Sequence, residues 1–421
     1  MADSSKHPNP QPVSPNWKIA QVGWGIGFLV LIAFTWPLWW PKGQYPVVPL
    51  LGFLGKSLST ESLEIACRAQ TGVMLVGLLI LAAFILFRRD ASQSKRYQGL
   101  LFLFAATLAA GGLLDNHRLQ PWYYQTMLYA LAGTTLSPKR WIAWVTGSIY
   151  IFSALGKIDH EFANLIGKQM IDVIADPIER HSGIQAGDES LMKFARLLPV
   201  PEFVAGLCWL FRTTRRTGAF LSAGMHLVLI VLLGPWMLNH SWGVIGWNAL
   251  LFAQSAYVLR WGLDDLSEAS REATWRLASG FSNLVLGTAL IMPMVERAGF
   301  WDHWLSWALY SPHVSRVTVE VHRRDLADVG FGFEEYVDES EGQWKRLSLG
   351  GWALGERFCP VYPQARYQLK LVLASTVNVD PRGVRVVVWS VADRRSGERK
   401  QTLLGNRDQI ASHLRKTSWL D

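Results

Sequence analysis

Cysteine is scarce in this chain of 421 residues, which contains only Cys67, Cys208 and Cys359 and no CxxC pair. A disulfide framework and a paired-cysteine zinc site are therefore excluded. The chain also lacks an HExxH zinc motif, a P-loop and a dinucleotide-binding glycine fingerprint. His117 and His160 do not stand at a fixed helical spacing. We therefore expect no metal ion and no phosphate-binding loop.

Charged residues are nearly absent from long stretches before residue 300 and dense after it. Ile19 to Trp40 contains no charge, and about 20 apolar residues suffice for a helix to cross the hydrocarbon core. Many of the 21 tryptophans flank such runs, as indoles do at a membrane interface. The pattern predicts an all-α polytopic transmembrane bundle of about nine spans. The predicted spans are 19–40, 71–87, 97–114, 123–136, 141–158, 200–211, 217–236, 243–260 and 273–295.

The excess of basic residues, a net charge of +8, lies largely in short loops between apolar segments. It therefore indicates membrane orientation rather than nucleic-acid binding. The loops after the second, fourth and sixth spans lie on one side of the membrane, and the positive-inside rule makes that side, with the N-terminus, cytoplasmic. We expect a multi-pass protein of the lipid bilayer, in the cell inner membrane of a bacterium. The basic loop residues are Arg88, Arg89, Lys95, Arg96, Lys139, Arg140, Arg212, Arg215 and Arg216.

Composition divides the chain into three parts. Residues 1–16 have the polar composition of a disordered tail, residues 17–300 form the predicted bundle, and residues 301–421 are expected to form an extracytoplasmic soluble domain. After Trp301, apolar and polar residues alternate as in half-buried strands. We expect this domain to be small and mostly β. The predicted elements are strands at 317–321, 367–373 and 384–389, a turn at 393–400 and a closing helix at 409–416.

The segment 159–199 has apolar residues at helical spacing with polar residues between them. This pattern predicts amphipathic helices that either lie in the outer membrane interface or pack on the bundle, and the sequence leaves both open. The apolar positions are Phe162, Leu165, Ile166, Met170, Ile171 and Ile174.

Four places bring ionisable or polar residues into or beside the bundle, where they are costly and often functional. Each also has a purely structural interpretation. The residues after the third span form a pocket wall or a polar turn. Lys157 is a base or a lysine that snorkels to the interface, and His226 handles protons or bonds to a neighbouring helix. The candidate residues are Asp115, Asn116, His117 and Trp122, then Lys157 and Asp159, then His226, and lastly Asn239 and His240.

The segment from Tyr150 to Phe162 resembles the region around the active-site lysine of vitamin K-dependent gamma-glutamyl carboxylases. It also resembles the wider bacterial group of horizontally transferred transmembrane domain proteins. Asp115-Asn116-His117 is similar to that family's Asp/Asn-His element, and His226 stands where the family has a later histidine. Two features depart from the family pattern. Gly156 replaces a second lysine, and the C-terminal region is much smaller.

The resemblance implies an enzyme acting at the outer face of the membrane. Lys157 would deprotonate a reduced naphthoquinone of the menaquinone or vitamin K type, and oxygen addition would generate a base strong enough for carboxylation, a lyase activity. His117 would bind the developing anion or the quinone. The remaining candidates would line the substrate or cofactor site, and the substrate would be an envelope protein or peptide.

An alternative is a non-catalytic membrane component, such as an assembly or export partner whose outer domain binds envelope proteins. In that case the polar residues only join helices. The two hypotheses differ in one geometric expectation. An enzyme of the resembled type requires His117 and Lys157 to face one enclosed space, within about 10–12 Å of each other, so that a quinone head group or water chain can bridge them.

Overall fold

The computed structural model describes most of the chain, and helices dominate it up to residue 291. The described residues are 15–43, 45–87, 95–182, 187–263, 276–330, 332–338 and 342–417. Most of the predicted N-terminal tail and part of the first basic loop lie outside them. The helices of this helical region are α1 (Pro15–Phe34), α2 (Trp36–Trp39), α3 (Gly52–Ser57), α4 (Thr60–Phe87), α5 (Lys95–Leu114), α6 (Pro121–Gly133), α7 (Pro138–Lys157), α8 (His160–Asn164), α9 (Ile166–Ser182), α10 (Asp188–Leu197), α11 (Pro199–Leu210), α12 (Arg215–Leu233), α13 (Trp242–Trp261) and α14 (Arg276–Ile291).

Five helices among the described residues are long and apolar enough to cross a membrane. They are α1, α4, α5, α12 and the segment Ala278–Ala298, and a sixth is added if α7 and the helices after its 77° bend form one span. In α4 only 33% of the most apolar stretch is buried in the protein, and Val73 and Leu79 are 60% and 63% exposed. Apolar surface of this extent on several helices requires a lipid solvent, so the chain is a multi-pass membrane protein.

All nine predicted spans overlap a helix. By length and composition, however, only five or six helices among the described residues qualify to cross a membrane. At 1.5 Å per residue, the 13 residues of α6 and the 12 of α11 extend only about 20 Å, short of a core about 30 Å thick. Nearly every side chain of α6 is buried, so this helix lies inside the protein, shielded from lipid by its neighbours. The side of the membrane on which each loop lies stays a prediction.

Helix α7, which carries Lys157, packs closely on α11. The contact depends on two glycines: a Cβ on Gly206 would lie 2.8 Å from the backbone nitrogen of Ile151 and 2.9 Å from the carbonyl oxygen of Gly147. Any larger residue at Gly206 would separate the helices. Small residues thus bring the backbones together, as is common between membrane helices, and this close approach positions α11 beside the end of α7.

The C-terminal region, residues 301–417, is a mixed α/β structure rather than a mostly β one. The predicted strands at 317–321 and 384–389 are confirmed, as are the turn at 393–400 and the helix at 409–416. The prediction of a strand at 367–373 is wrong, because these residues lie in a helix. The elements are β1 (Arg316–His322), β2 (Trp344–Leu347), α15 (Leu349–Arg357), α16 (Ala365–Ser375), β3 (Val384–Trp389), β4 (Gln401–Leu404) and α17 (Arg407–Thr417), and the antiparallel sheet has the order β2-β1-β3-β4.

The wrong strand has a clear physical reason. Tyr367, Leu369 and Leu371 alternate with polar residues, but Val372 is buried as well, and helix α16 presents all four to the core. Most residues of this segment have high helix propensity, which alternation alone does not take into account. The polar residue Gln368 is also buried, and its Oε1 accepts a 3.0 Å hydrogen bond from the backbone nitrogen of Val317 at the start of the sheet.

Candidate functional site

Lys157 is buried at the end of α7 and forms an ion pair inside the protein. Its Nζ donates hydrogen bonds of 2.6 Å to Ser153 Oγ and 2.6 Å to Glu202 Oε2. Lys157 and Glu202 are each 8% exposed, and the ring of Tyr310 lies 5.9 Å from Nζ. Glu202 stands in the first turn of α11, where the helix dipole stabilises a negative charge. The ammonium therefore points into the protein and not, as a snorkelling lysine would, towards water.

His226 lies on α12 in a hydrogen-bonded chain that adjoins the same face of α7. Its Nε2 is 2.9 Å from Tyr150 Oη and its Nδ1 is 2.9 Å from Asn248 Oδ1. Asn248 Nδ2 donates to the carbonyl of Val244, which directs the amide oxygen towards His226. Consequently Nδ1 carries the proton and the Tyr150 hydroxyl donates to Nε2. This arrangement matches the structural interpretation, a histidine bonded to neighbouring helices.

The segment Asp115–Trp122 forms a tight, fully buried turn between α5 and α6. Asp115 Oδ1 accepts a 3.1 Å hydrogen bond from the backbone nitrogen of His117, and the backbone nitrogen of Asn116 donates to the carbonyl of Val48 at 2.8 Å. The next helix begins at Pro121, followed by the buried Trp122. A hydrogen-bonded turn of this kind holds each of its side chains in a fixed direction.

His117 points from this turn into the C-terminal region. Its Nε2 lies 2.8 Å from the carbonyl oxygen of Pro360, and its ring stacks at 5.3 Å on Tyr45 and contacts Tyr367 at 5.6 Å. Because a carbonyl only accepts, Nε2 carries the proton. Among the described residues Nδ1 has no hydrogen-bond partner. Burial lowers the pKa of His117 to about 4, so the ring is neutral at physiological pH.

Arg357 holds the same turn from the opposite side. Its guanidinium is 1% exposed, lies 3.7 Å from Asp115 Oδ2 and donates to the carbonyl oxygens of Pro37, Leu38 and Tyr45. These bonds fasten α15 to the start of the helical region. The Asp115 turn is therefore a junction between the two regions of the molecule.

The other candidates lie around these two centres. Asp159 does not pair with Lys157: it caps α8 through the backbone nitrogen of Phe162 at 2.7 Å and lies 2.8 Å from Arg297 Nη2. Asn239 is exposed and adopts a left-handed backbone conformation with φ 48°. His240, also exposed, meets the Tyr310 ring edge-on at 6.1 Å. Tyr310 thus stands between His240 and Lys157.

The contacts of His117 and those of Lys157 described above have no residue in common. Neither residue lines the large cavity of about 710 Å³, which lies between α1, α4, α5, α6 and α13 and is bordered mainly by apolar side chains. Its polar border includes Tyr129, whose hydroxyl accepts a hydrogen bond from Gln254 Nε2 at 2.8 Å and lies 2.7 Å from Thr146 Oγ1. This cavity is open enough to admit a lipid-soluble molecule, but it belongs to a different part of the helical region.

Gly156 explains one departure from the carboxylase pattern. A Cβ at this position would lie 2.7 Å from Ser311 Oγ and 3.4 Å from Ala308 Cβ. The segment that carries Tyr310 therefore packs directly on the end of α7, and a second lysine at residue 156 would force the segment away. Lys157 is therefore the basic residue in the last turn of α7.

Sequence reasoning missed Glu202, although a signal was present. It lies in the predicted span 200–211, and an acidic residue inside an apolar helix indicates an internal partner. Glu296, His303 and His313 were missed as well. They bring one ligand atom each to within 4.8 Å of the others. Glu296 lies in a 3-10 helix, Met292–Ala298, but both histidines come from irregular segments after it, so no helical spacing links the three residues.

Comparison of the chain with protein-family models, curated proteins and solved structures finds no match.

Proposed function

We propose that this chain is a membrane enzyme whose buried Lys157–Glu202 pair takes a proton from a lipid-soluble hydroquinone at the outer face of the membrane. The ion pair is the observation that supports the proposal most. A lysine and a glutamate in contact at 2.6 Å, both buried in a helical membrane protein, are costly to maintain for stability alone. The resemblance of the segment Tyr150–Phe162 to the carboxylase lysine region supports a naphthohydroquinone as the substrate.

The pair solves the main difficulty of using a lysine as a base. At neutral pH an isolated lysine in water carries an extra proton and cannot accept another. In the resting protein Glu202 favours the ammonium of Lys157, so the base forms only when bound hydroquinone excludes water and the proton moves from Lys157 to Glu202, which gives a neutral amine and a carboxylic acid with no change in total charge. The amine nitrogen then takes the proton of a hydroquinone O–H, and the products are the ammonium and the quinolate anion.

The surroundings of Lys157 suit a lipid-soluble substrate. Ile158, the next residue, is 52% exposed, so the end of α7 lies at the surface of the protein. The aromatic ring of Tyr310 lies on one side of Nζ and offers a face for a planar quinone ring. Lys157 itself is 8% exposed, so an apolar molecule arriving from the bilayer has to displace neighbouring side chains to reach the amine.

His117 and Lys157 share no contact residue and neither lines the cavity described above, so the single enclosed site that the resemblance requires has no support, and His117 has a narrower role in this proposal. With the Nε2 proton donated to Pro360, the neutral ring offers only the acceptor Nδ1. Such a ring can accept a hydrogen bond from a hydroxyl group but cannot donate a hydrogen bond to a developing anion. Binding of an anion at His117 would first require the hydrogen bond to Pro360 to break.

One observation favours the alternative, a non-catalytic membrane component. The described hydrogen bonds of the Asp115 turn, together with those of Arg357, link backbone groups of both regions, although the Asn116 side-chain amide and His117 Nδ1 have no partner among the described residues. These polar residues join the C-terminal region to the helices, as expected of a scaffold that presents an outer domain to envelope proteins. The two functions differ at Lys157, because a scaffold has no use for a base there.

The test uses the full chain purified in detergent, with extraction and mass spectrometry of bound quinones. The wild-type protein is expected to retain a naphthoquinone and to speed oxidation of a reduced naphthoquinone by oxygen. Lys157→Met is expected to lower that rate at least about 100-fold, in the range of a lost general base. Lys168→Met, which breaks an exposed Lys168–Asp172 pair on α9, serves as the control. Absence of bound quinone, together with equal rates for the wild type and Lys157→Met, would reject the enzyme and favour the scaffold.

A further inference from the structure

A buried cluster of metal-ligating side chains lies beyond the end of α14. His303 Nδ1 is 2.8 Å from Glu296 Oε1, and His313 Nε2 is 3.2 Å from Glu296 Oε1 and 3.1 Å from Oε2. The two imidazole rings are 5.0 Å apart. His303 is 2% exposed and His313 is fully buried. Two imidazoles and a carboxylate therefore converge on one small volume that is shielded from water.

A second layer of groups orients both rings. The far nitrogen of His313, Nδ1, lies 3.1 Å from Asp159 Oδ2, and that carboxylate is held by Arg297 and by the backbone nitrogen of Phe162. The ring of His303 meets that of His313 edge-on, with ring centres 5.0 Å apart. Histidines that bind metals are oriented in this manner, with the second nitrogen directed at a carboxylate or a carbonyl.

We propose that Glu296, His303 and His313 form a binding site for a divalent transition-metal ion, with Asp159 as the carboxylate behind His313. Two histidines and one carboxylate form the ligand set of many zinc and ferrous sites, and they leave coordination positions open for water or a substrate. This inference does not depend on the proposed function of Lys157, because it concerns binding and not quinone chemistry.

The distances suit such an ion. With metal–ligand bonds of about 2.0–2.2 Å, neighbouring ligand atoms of a tetrahedral site lie roughly 3.3–3.6 Å apart. The observed contacts of 2.8–3.2 Å between ligand atoms are slightly shorter, as expected when hydrogen bonds join the same atoms. The ligand atoms of the two histidines lie within 4.8 Å of each other, so binding requires small rotations of all three side chains that bring each ligand atom to bonding distance.

The net charge of the cluster is also compatible with a bound cation. Glu296 and Asp159 contribute two negative charges and Arg297 one positive charge, so the group carries one net negative charge when both imidazoles are neutral. Either a proton on an imidazole or a metal ion compensates this charge. A divalent ion leaves one positive charge, which a metal-bound hydroxide or an anionic ligand would balance. A site of this kind would favour anionic ligands at its open position.

The cluster also lies next to Lys157 in space. Its segment includes Tyr310, which lies over the Lys157 ammonium, and Asp159 follows Lys157 by two residues. A metal ion that fixes His303 and His313 would therefore hold the intervening segment against the end of α7. Metal binding is expected to stabilise this junction, because an ion that binds the native state alone raises its stability.

The experiment measures metal binding to the full chain in detergent after treatment with a chelator. Addition of Zn²⁺ alone is expected to give about one tightly bound equivalent per chain and a higher thermal unfolding temperature. Co²⁺, bound in place of Zn²⁺, is expected to show the visible absorption of a site with nitrogen and oxygen ligands. The variants His303→Ala, His313→Ala and Glu296→Gln should each weaken binding at least about 100-fold. His413→Ala, on α17, is the matched control and should bind like the wild type.

Two results would overturn the proposal. The first is wild-type protein that is folded by circular dichroism but binds less than a stoichiometric amount of Zn²⁺ and of Co²⁺. The second is binding that persists unchanged in the double variant His303→Ala/His313→Ala, which would locate the ion elsewhere. If a single variant fails to fold, the Co²⁺ spectrum of the wild type still tests the ligand set, because the intense charge-transfer absorption of cysteine ligation would place the ion at another site and reject the proposal.

Discussion

The two polar centres that the sequence singles out, around Lys157 and around His117, use their buried groups in opposite ways. Lys157 and Glu202 concentrate two opposite charges in one short contact inside the helical region. His117, Asp115 and Arg357 instead distribute their hydrogen bonds over backbone carbonyls and nitrogens on both sides of the junction with the C-terminal region. The first arrangement is sensitive to the loss of either charge, whereas the second shares its energy among many bonds.

This contrast shows what a motif in a membrane protein can conceal. Both segments have ionisable residues at the end of a predicted span. In the structure one segment joins two regions of the molecule and the other keeps a lysine and a glutamate away from water. The function of such residues follows from their partners, and the partners come from distant parts of the chain.

The largest effect is expected from breaking the Lys157–Glu202 pair on one side. Glu202→Gln leaves the buried ammonium without a counter-charge, which should lower the free energy of unfolding by about 3–5 kcal/mol. The double variant Lys157→Met/Glu202→Leu removes both charges and should recover most of that loss, without recovering quinol oxidation. Thermal or chemical unfolding in detergent measures both changes.

The exposed pair Lys168–Asp172 on α9 provides the comparison for this prediction. Its side chains are 30% and 33% exposed, so Asp172→Asn should cost less than about 1 kcal/mol. If Glu202→Gln costs no more than Asp172→Asn, water reaches Lys157, and the dry-site argument for a neutral amine is wrong.

The helices of this chain follow from its sequence more closely than its sites do. Apolar runs, proline at helix starts and glycine contacts are local signals, and they locate a helix at every predicted span. Whether short helices such as α6 and α11 cross the membrane depends on which neighbours cover them, which local patterns do not contain. The same reason explains the helix at 365–375, whose alternating residues are all buried by the surrounding structure.

The candidate site shows a similar division. The sequence singles out Lys157, His117 and His226, because ionisable residues are rare in such segments, and leaves their burial open. It does not provide their partners: Glu202 is 45 residues from Lys157, and Pro360 is 243 residues from His117. The cluster of Glu296, His303 and His313 joins a 3-10 helix to the irregular segments after it, where residue spacing has no fixed relation to distance. Prediction of such groups requires the three-dimensional arrangement of loops.

A smaller effect is expected from Arg357, which holds the junction through several bonds. Arg357→Met leaves the Asp115 carboxylate and the carbonyls of Pro37, Leu38 and Tyr45 without this donor, and should lower the free energy of unfolding by about 2–4 kcal/mol. Limited proteolysis should then cleave between the two regions sooner. Arg385→Met, which breaks a partly exposed pair with Glu320 on the sheet, should leave the cleavage rate unchanged. Equal cleavage of both variants would show that apolar packing alone holds the junction.

The smallest effect on stability is expected at His117. Its ring is neutral near neutral pH, so the effect appears only on acidification. Its pKa is about 4 in the folded protein, because burial disfavours the imidazolium, and about 6.5 in an unfolded chain. Between these values the unfolded chain binds more protons, so stability rises with pH. The contribution of the neutral ring is complete above pH 6.5 and is lost as the pH falls towards 4, by about 3 kcal/mol.

His117→Gln cannot be protonated in this range and should flatten this part of the curve of unfolding temperature against pH. A wild-type curve as flat as that of His117→Gln would mean that the imidazolium is tolerated at the junction, as in a site that opens to bind an anion, and the contrast between the two centres would then disappear.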